Sequence, residues 1–243
     1  MTGRPLLVIG HVPKPSIEVV AKAAEALKVP IHVVRPFLGE DLPSLDDFRG
    51  IVILGGPQSA YDDELHPFLA REKAYVAAAY GAGVPTLAVC LGSQLAADAL
   101  GGKSRAGDHG LEVGFIEIRA TTKAGEPLAG RYFSFHTDTA DPPPRAEVLA
   151  TSDHYPQAWR LGPLLAIQFH PDLDRQGIEQ VLAVEQEKLA AAGNDVAALR
   201  SEVAAADYDA GRGLLTDWIE SLTDESGPPA PDEPPDQRAH RGP

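Results

Sequence analysis

The sequence predicts an α/β protein with a mostly parallel central sheet and antiparallel additions. Apolar runs of strand length alternate with helix-period segments through the first half, which is the pattern of βαβ units. Beyond Gly110 the pattern changes to strand-like pieces punctuated by Pro and Asp, as antiparallel strands joined to that sheet would require. With 243 residues, 44 % of them hydrophobic and 23 % charged, the chain is long enough to bury a large core and too apolar to be disordered throughout.

Residues 6–10, Leu-Leu-Val-Ile-Gly, read as the first strand. Ser16 stands as an N-cap, with Glu18 in the first turn, for a helix through Leu27 whose Ile17, Val20, Ala21, Ala24 and Leu27 share a face. Residues 30–34 return as a second strand, and residues 50–54 form a third that ends abruptly in Gly55-Gly56-Pro57. A helix is expected over about 67–80. Residues 84–89 make another short apolar run, and 91–100 an Ala/Leu-rich helix closed by Gly101-Gly102. Cys90 therefore falls where a strand turns into a helix. Further strands are expected at 111–119, 131–135, 147–151 and 164–168, followed by helices over 178–192 and 195–222, the second interrupted at Gly211-Arg212-Gly213. One domain over 1–222 is expected, with a disordered Pro- and acid-rich tail over 223–243.

The formal charge is −14, a field that repels nucleic-acid backbones and anionic membrane surfaces, so neither is expected as a partner. No run approaches the roughly 20 apolar residues of a membrane helix, and the apolar run after Pro5 is too short for a signal peptide. The single cysteine, Cys90, fits a reducing cytoplasm and is a candidate nucleophile. Neither Gly-x-Gly-x-x-Gly nor Gly-x-x-x-x-Gly-Lys-Ser/Thr occurs, so neither a dinucleotide nor a P-loop nucleotide site is encoded, and no cofactor is expected.

A thiolate needs a site that favours its charge, and a helix N-terminus offers partial positive charge and free N–H groups. The expected turn at Cys90 supplies both, with small residues, Ala88 and Gly92, flanking it at two positions as a sharp elbow requires. The N–H of Leu91 would face a developing oxyanion, and the Gly56 N–H, on the same carboxyl edge of the sheet, is a second donor. For the general base, His170 directly follows a buried-looking strand and has a carboxylate, Asp172, two residues on.

Four motifs in order, Gly55-Gly56-Pro57, Cys90-Leu91-Gly92-Ser93-Gln94 before a helix ending Leu100-Gly101-Gly102, His136-Thr137-Asp138, and Gln168-Phe169-His170-Pro171, resemble the class I, triad-type glutamine amidotransferases. Glu112-Val113-Gly114, Ala150-Thr151-Ser152 and Gln157-Ala158-Trp159-Arg160 are similar to the stand-alone branch related to the GMP synthase glutaminase domain. The resemblance covers about residues 5–175. It implies a flavodoxin-like three-layer sandwich that releases ammonia from the glutamine side chain through a γ-glutamyl thioester. Cys90 would be nucleophile, His170 base and acid, and Asp172 the orienting carboxylate, with Asp174 as its alternative; Gly56 and Leu91 would form the oxyanion hole. Gln94, Thr137 and Asp138 would hold the amino-acid end of the substrate. Three positions depart from the family pattern: Asp172 stands in place of Glu, Ala88 in place of Gly, and Ser93 in place of a larger residue.

His136/Asp138 and His170/Asp172 make two His-x-Asp pairs, yet no third ligand motif accompanies them, so no metal is expected. His11, His32, His66, His109, His154 and His240 read as surface or locally hydrogen-bonded histidines. Two further functions are compatible with these residues: a γ-glutamyl peptidase on the same triad, and a catalytically weak, glutamine-binding regulatory subunit. The expected ligand is L-glutamine or a γ-glutamyl compound; no synthase domain is expected within these residues, and a separate synthase subunit is the other partner they allow.

Overall fold

A computed structural model describes residues 3–222; the expected tail at 223–243 lies outside the described residues. The first strands are β1 (Leu6–Ile9), β2 (Ile31–Val34), β3 (Gly50–Ile53) and β4 (Thr86–Val89), with helices α1 (Glu18–Ala26), α2 (Phe68–Gly81) and α3 (Leu91–Ala99) between and after them. Then follow β5 (Lys103–Ala106), β6 (Glu112–Ala120), β7 (Gly130–His136), β8 (Asp138–Asp141), β9 (Glu147–Thr151), β10 (Pro156–Leu161) and β11 (Leu164–Ile167). The chain closes with α4 (Arg175–Val184), α5 (Gln186–Ala191), α6 (Val196–Ala205) and α7 (Asp209–Ser221).

Among the described residues, nine strands form one sheet in the order β2-β1-β3-β4-β11-β10-β9-β6-β7. The first five are parallel; β11 to β10 and every pair beyond it are antiparallel. All four residues of β1, β3, β4 and β11 are buried, as strands covered on both faces demand. One layer packs α1 and α7 against Leu6, Val8, Val52, Leu87 and Ile167. The opposite layer packs α2 and α3 against Leu7, Ile9, Ile51, Ile53 and Ala88, which completes the three-layer sandwich.

Several boundaries differ from the sequence expectation. Helix α1 starts at Glu18 with no side-chain cap, and it buries Val19, Val20, Ala23 and Ala24 rather than the stripe through Ile17, Ala21 and Leu27. Helix α7 runs unbroken through Gly211 and Gly213; the break falls instead at residues 206–208. Gly211 serves packing, because a Cβ there would lie 2.7 Å from the Pro171 carbonyl oxygen. Helix α3 ends as expected. Gly101 has φ 90° and the Gly102 N–H reaches the Ala97 carbonyl at 2.8 Å, a Schellman closure.

Candidate active site

Cys90 lies between β4 and α3 with φ 53° and ψ −109°, a left-handed conformation that a side chain adopts only under constraint. Its N–H donates to the Ile167 carbonyl at 2.8 Å, tying it to β11, and its carbonyl accepts from the Ser93 hydroxyl at 2.8 Å. Gly92 lets α3 close onto the end of β3, since a Cβ there would sit 2.5 Å from the Ile53 carbonyl oxygen. The elbow therefore holds Cys90 beside the turn that follows β3.

His170 arrives just beyond β11. Its N–H donates to the Phe133 carbonyl at 2.8 Å, which fastens it to β7. The imidazole Nδ1 lies 3.1 Å from Asp172 Oδ1. A Cβ on Gly55 would lie 3.0 Å from His170 Cε1 and 3.3 Å from Cys90 Cβ, so ring and thiol meet across a bare Cα. Asp174 is occupied elsewhere: it caps α4, accepting the Gly177 N–H at 3.0 Å. The shorter Asp172 side chain thus reaches the ring without help from its neighbour. Burial pushes the His170 imidazole down, but the Asp172 carboxylate and then the Cys90 sulfur outweigh it and lift the group to about 10.

Gly56 and Leu91 line the same cavity as Cys90 and His170. A Cβ on Gly56 would collide with His11 Cβ at 2.5 Å and Leu91 Cδ2 at 2.9 Å, so the turn tolerates only glycine there. Leu91 opens α3, and its N–H precedes the first intrahelical acceptor.

Gln94, Thr137 and Asp138 also line this cavity. The Asp138 carboxylate accepts from the Ser59 hydroxyl at 2.5 Å and the Tyr61 hydroxyl at 3.2 Å. Gln94 spends its amide nitrogen within the protein, donating to the Asp138 carbonyl at 3.0 Å and to Gln168 Oε1 at 3.2 Å. Behind this segment, His136 Nδ1 donates to the Asp138 carbonyl at 2.9 Å while Nε2 lies 3.0 Å from Glu112 Oε2. Glu112 also accepts from Ser152 at 2.7 Å and Gln157 at 2.6 Å. Burial pushes the Glu112 carboxyl up, yet the hydrogen bonds from His136 and Ser152 hold it below the usual range. The cavity as a whole measures about 650 Å³ and is also walled by Phe135, Val181, Val184 and Lys188. Among the described residues, no group of three or more His, Cys, Asp or Glu is arranged to hold a metal ion.

The family model for class-I glutamine amidotransferases matches residues 16–182. The chain belongs to this family. A GMP synthase from Shewanella sediminis is 30 % identical over 147 residues, covering 53 % of this amidotransferase and 27 % of the relative. A glutamine-hydrolysing GMP synthase subunit from Halobacterium salinarum is 29 % identical over 142 residues, covering 54 % of this chain and 70 % of that one. This amidotransferase therefore spans about a quarter of the length of the Shewanella relative. Among solved structures, a glutamine amidotransferase from Thermotoga maritima superposes with a TM-score of 0.83 at 25 % identity, covering 90 % of this chain and 98 % of that one. A second, from Methylobacillus flagellatus, has a TM-score of 0.78 at 23 % identity over 91 % and 96 % of the two chains, and bears on the fold alone.

The sequence-predicted residues of this amidotransferase, Gly56, Cys90, Leu91, Gln94, Thr137, Asp138, His170 and Asp172, all line one cavity. His11, expected at the surface or hydrogen-bonded locally, is instead 1 % exposed and meets Glu72, 61 residues away. Glu112 entered the sequence reading only as part of a motif, with no role, and buried Glu72 did not enter it at all. Glu72 carried a readable signal. It falls between Leu69 and Val76 on the buried stripe of α2, where a carboxylate demands a partner.

Proposed function

We propose that this protein hydrolyses the side-chain amide of L-glutamine to glutamate and ammonia through a thioester on Cys90. The carrying observation is the meeting of Cys90 and His170 across Gly55, with Asp172 behind the ring. The Cys90 thiol passes its proton to His170 and the sulfur attacks the amide carbon, and the oxyanion that forms is met by the N–H groups of Gly56 and Leu91. His170 then gives its proton to the departing nitrogen, the C–N bond breaks and ammonia leaves. A water follows, handing its proton to His170 as it attacks the thioester, and glutamate and free Cys90 are restored. Asp172 holds the ring in the tautomer and orientation both steps need. Asp138, with its carboxylate fixed by Ser59 and Tyr61, suits the α-ammonium of the substrate, and Thr137 and Gln94 complete that wall.

The name of the Halobacterium relative, a subunit of a glutamine-hydrolysing synthase, supports a role in which this chain supplies ammonia to a separate synthase chain. Among the described residues no helix is long and apolar enough to cross a membrane. A second reading, cleavage of a γ-glutamyl peptide on the same triad, draws support from the cavity. Its roughly 650 Å³ falls in the range of about 300–1,000 Å³ typical of sites for larger small molecules, and its wall of Phe135, Val181 and Val184 leaves room beyond one amino acid. The deciding experiment measures ammonia and glutamate release from L-glutamine and amine release from a γ-glutamyl dipeptide, with Cys90→Ser as control. Turnover of glutamine that vanishes in the variant supports the first reading; preference for the dipeptide supports the second. If neither substrate reacts and a glutamine-analogue diazoketone leaves Cys90 unmodified, both readings fail.

A further inference from the structure

Beneath the turn at 55–57 lies a sealed ion pair. His11, which follows β1, is 1 % exposed and Glu72 on α2 is 0 % exposed. His11 Nε2 sits 3.0 and 3.1 Å from the two oxygens of Glu72, and Nδ1 sits 3.3 Å from the carbonyl oxygen of Gly55. Both ring nitrogens face acceptors, so both carry protons and both donate. Although burial pushes this imidazole down, the attraction and hydrogen bond of Glu72 raise it above its ordinary value. The backbone of His11 joins in, its carbonyl accepting from Gln58 Nε2 at 3.3 Å.

The peptide bond between Gly55 and Gly56 is trans, so its carbonyl and its N–H point in opposite directions. A donor that holds the carbonyl therefore also fixes the N–H of Gly56 on the opposite side of the peptide. Drawing electron density toward the carbonyl oxygen also makes that N–H a better donor to an oxyanion. We propose that His11 and Glu72 are positioning residues for the oxyanion hole: His11 holds the Gly55 carbonyl so that the Gly56 N–H faces the tetrahedral intermediate, and Glu72 holds the His11 ring in place. The inference deepens the thioester reading and rests on it.

Two double variants separate this from a merely structural role. In His11→Asn with Glu72→Gln, the Asn amide nitrogen stands where Nδ1 stood and keeps the donor to Gly55. In His11→Gln with Glu72→Gln, the amide stands where Nε2 stood and the donor to Gly55 is lost. Both remove the buried charges together, so neither leaves an unpaired ion. The readouts are melting temperature, kcat and KM for glutamine, capture of Cys90 by a glutamine-analogue diazoketone, and alkylation of Cys90 by iodoacetamide, which forms no oxyanion. The Gln/Gln variant is expected to lose kcat on the order of 10- to 100-fold, as an oxyanion donor is misaligned, with KM and alkylation nearly unchanged. The Asn/Gln variant is expected to stay within a few-fold of wild type.

Equal kcat in the two variants overturns the inference, as does a loss that appears in KM or in alkylation. If the Gln/Gln variant fails to melt cooperatively, His11→Leu with Glu72→Leu replaces it as the variant without the donor, and kcat at wild-type level in that variant overturns the inference; if the Asn/Gln variant fails, the variant without the donor is judged against wild type by the same rule. Wild-type protein that neither turns over glutamine nor is captured at Cys90 overturns the thioester reading and this inference with it. Active wild type with unaffected variants overturns this inference alone.

Discussion

Two imidazole–carboxylate pairs stand on opposite sides of Gly55, built from the same groups yet differently placed. In the His170–Asp172 pair the carboxylate takes Nδ1, the rest of the ring faces Cys90, and the side chain is 10 % exposed to the cavity. In the His11–Glu72 pair both side chains are fully sealed and both ring nitrogens are committed, one to the carboxylate and one to a peptide carbonyl. The contrast teaches that a buried His–carboxylate pair is not in itself a catalytic signature. Under the proposed thioester mechanism, what decides is whether the second nitrogen faces the thiol or the backbone. His136–Glu112 follows the second pattern, its other nitrogen donating to the Asp138 carbonyl.

The contrast breaks most sharply at the thiol. Replacing Cys90 by Ser is expected to lower glutamine turnover by about 10⁴-fold or more while the melting temperature barely moves, because Cys90 is buried and Ser is its nearest isostere. Thermal melts beside ammonia assays check both halves. Retained turnover would place the chemistry elsewhere.

Asp172→Asn comes next, with an expected loss of about 10³- to 10⁴-fold in kcat, since the ring then lacks the partner that fixes its tautomer. The same pair predicts a pH dependence. His170 titrates near 6.5 in the unfolded chain and at about 10 in the folded one, so the folded state holds the proton more tightly. Its contribution to stability is complete below pH 6.5 and is lost as pH rises toward about 10. The gap in melting temperature between wild type and Asp172→Asn should therefore be widest below pH 6.5 and narrow across that window. A gap that is constant with pH would refute the assignment.

On the substrate side, Glu112→Gln tests the sealed type of pair. It weakens the support of the 137–138 segment without touching Cys90, so KM for glutamine is expected to rise about tenfold, some 1.4 kcal/mol, while kcat changes little. Steady-state kinetics resolve the two; a fall confined to kcat would give His136 a different role.

How much of this was legible follows from locality. The parallel strands and the Cys90 elbow are written in short contiguous runs, and four motifs carried the cavity. Strand β10 went unread because its register against β9 shifts on either side of Ala158, which breaks the two-residue alternation. Strands β5 and β8 pair only with each other and are largely polar, so no apolar period marks them. His11 and Glu72 are 61 residues apart and meet only once β1 and α2 have packed. Pairings of that kind are products of topology, which local patterns do not encode.

The smallest effect belongs to the carboxylate that sequence alone could not separate from Asp172. Asp174 accepts the Gly177 N–H at the start of α4 and lies 3.9 Å from the exposed Lys22, a contact of little weight in solvent. Asp174→Ala should then remove an N-cap and nothing more, costing about 1 kcal/mol, or about 2–4 °C in melting temperature for a chain of this size. Its kcat should match wild type, because the capped turn faces α1 while Asp172 alone meets the ring. Calorimetry and a glutaminase assay on this one variant set the two aspartates apart: a cap is read in the melt, a triad member in the rate. A variant that keeps its melting temperature but loses turnover would reverse the two assignments.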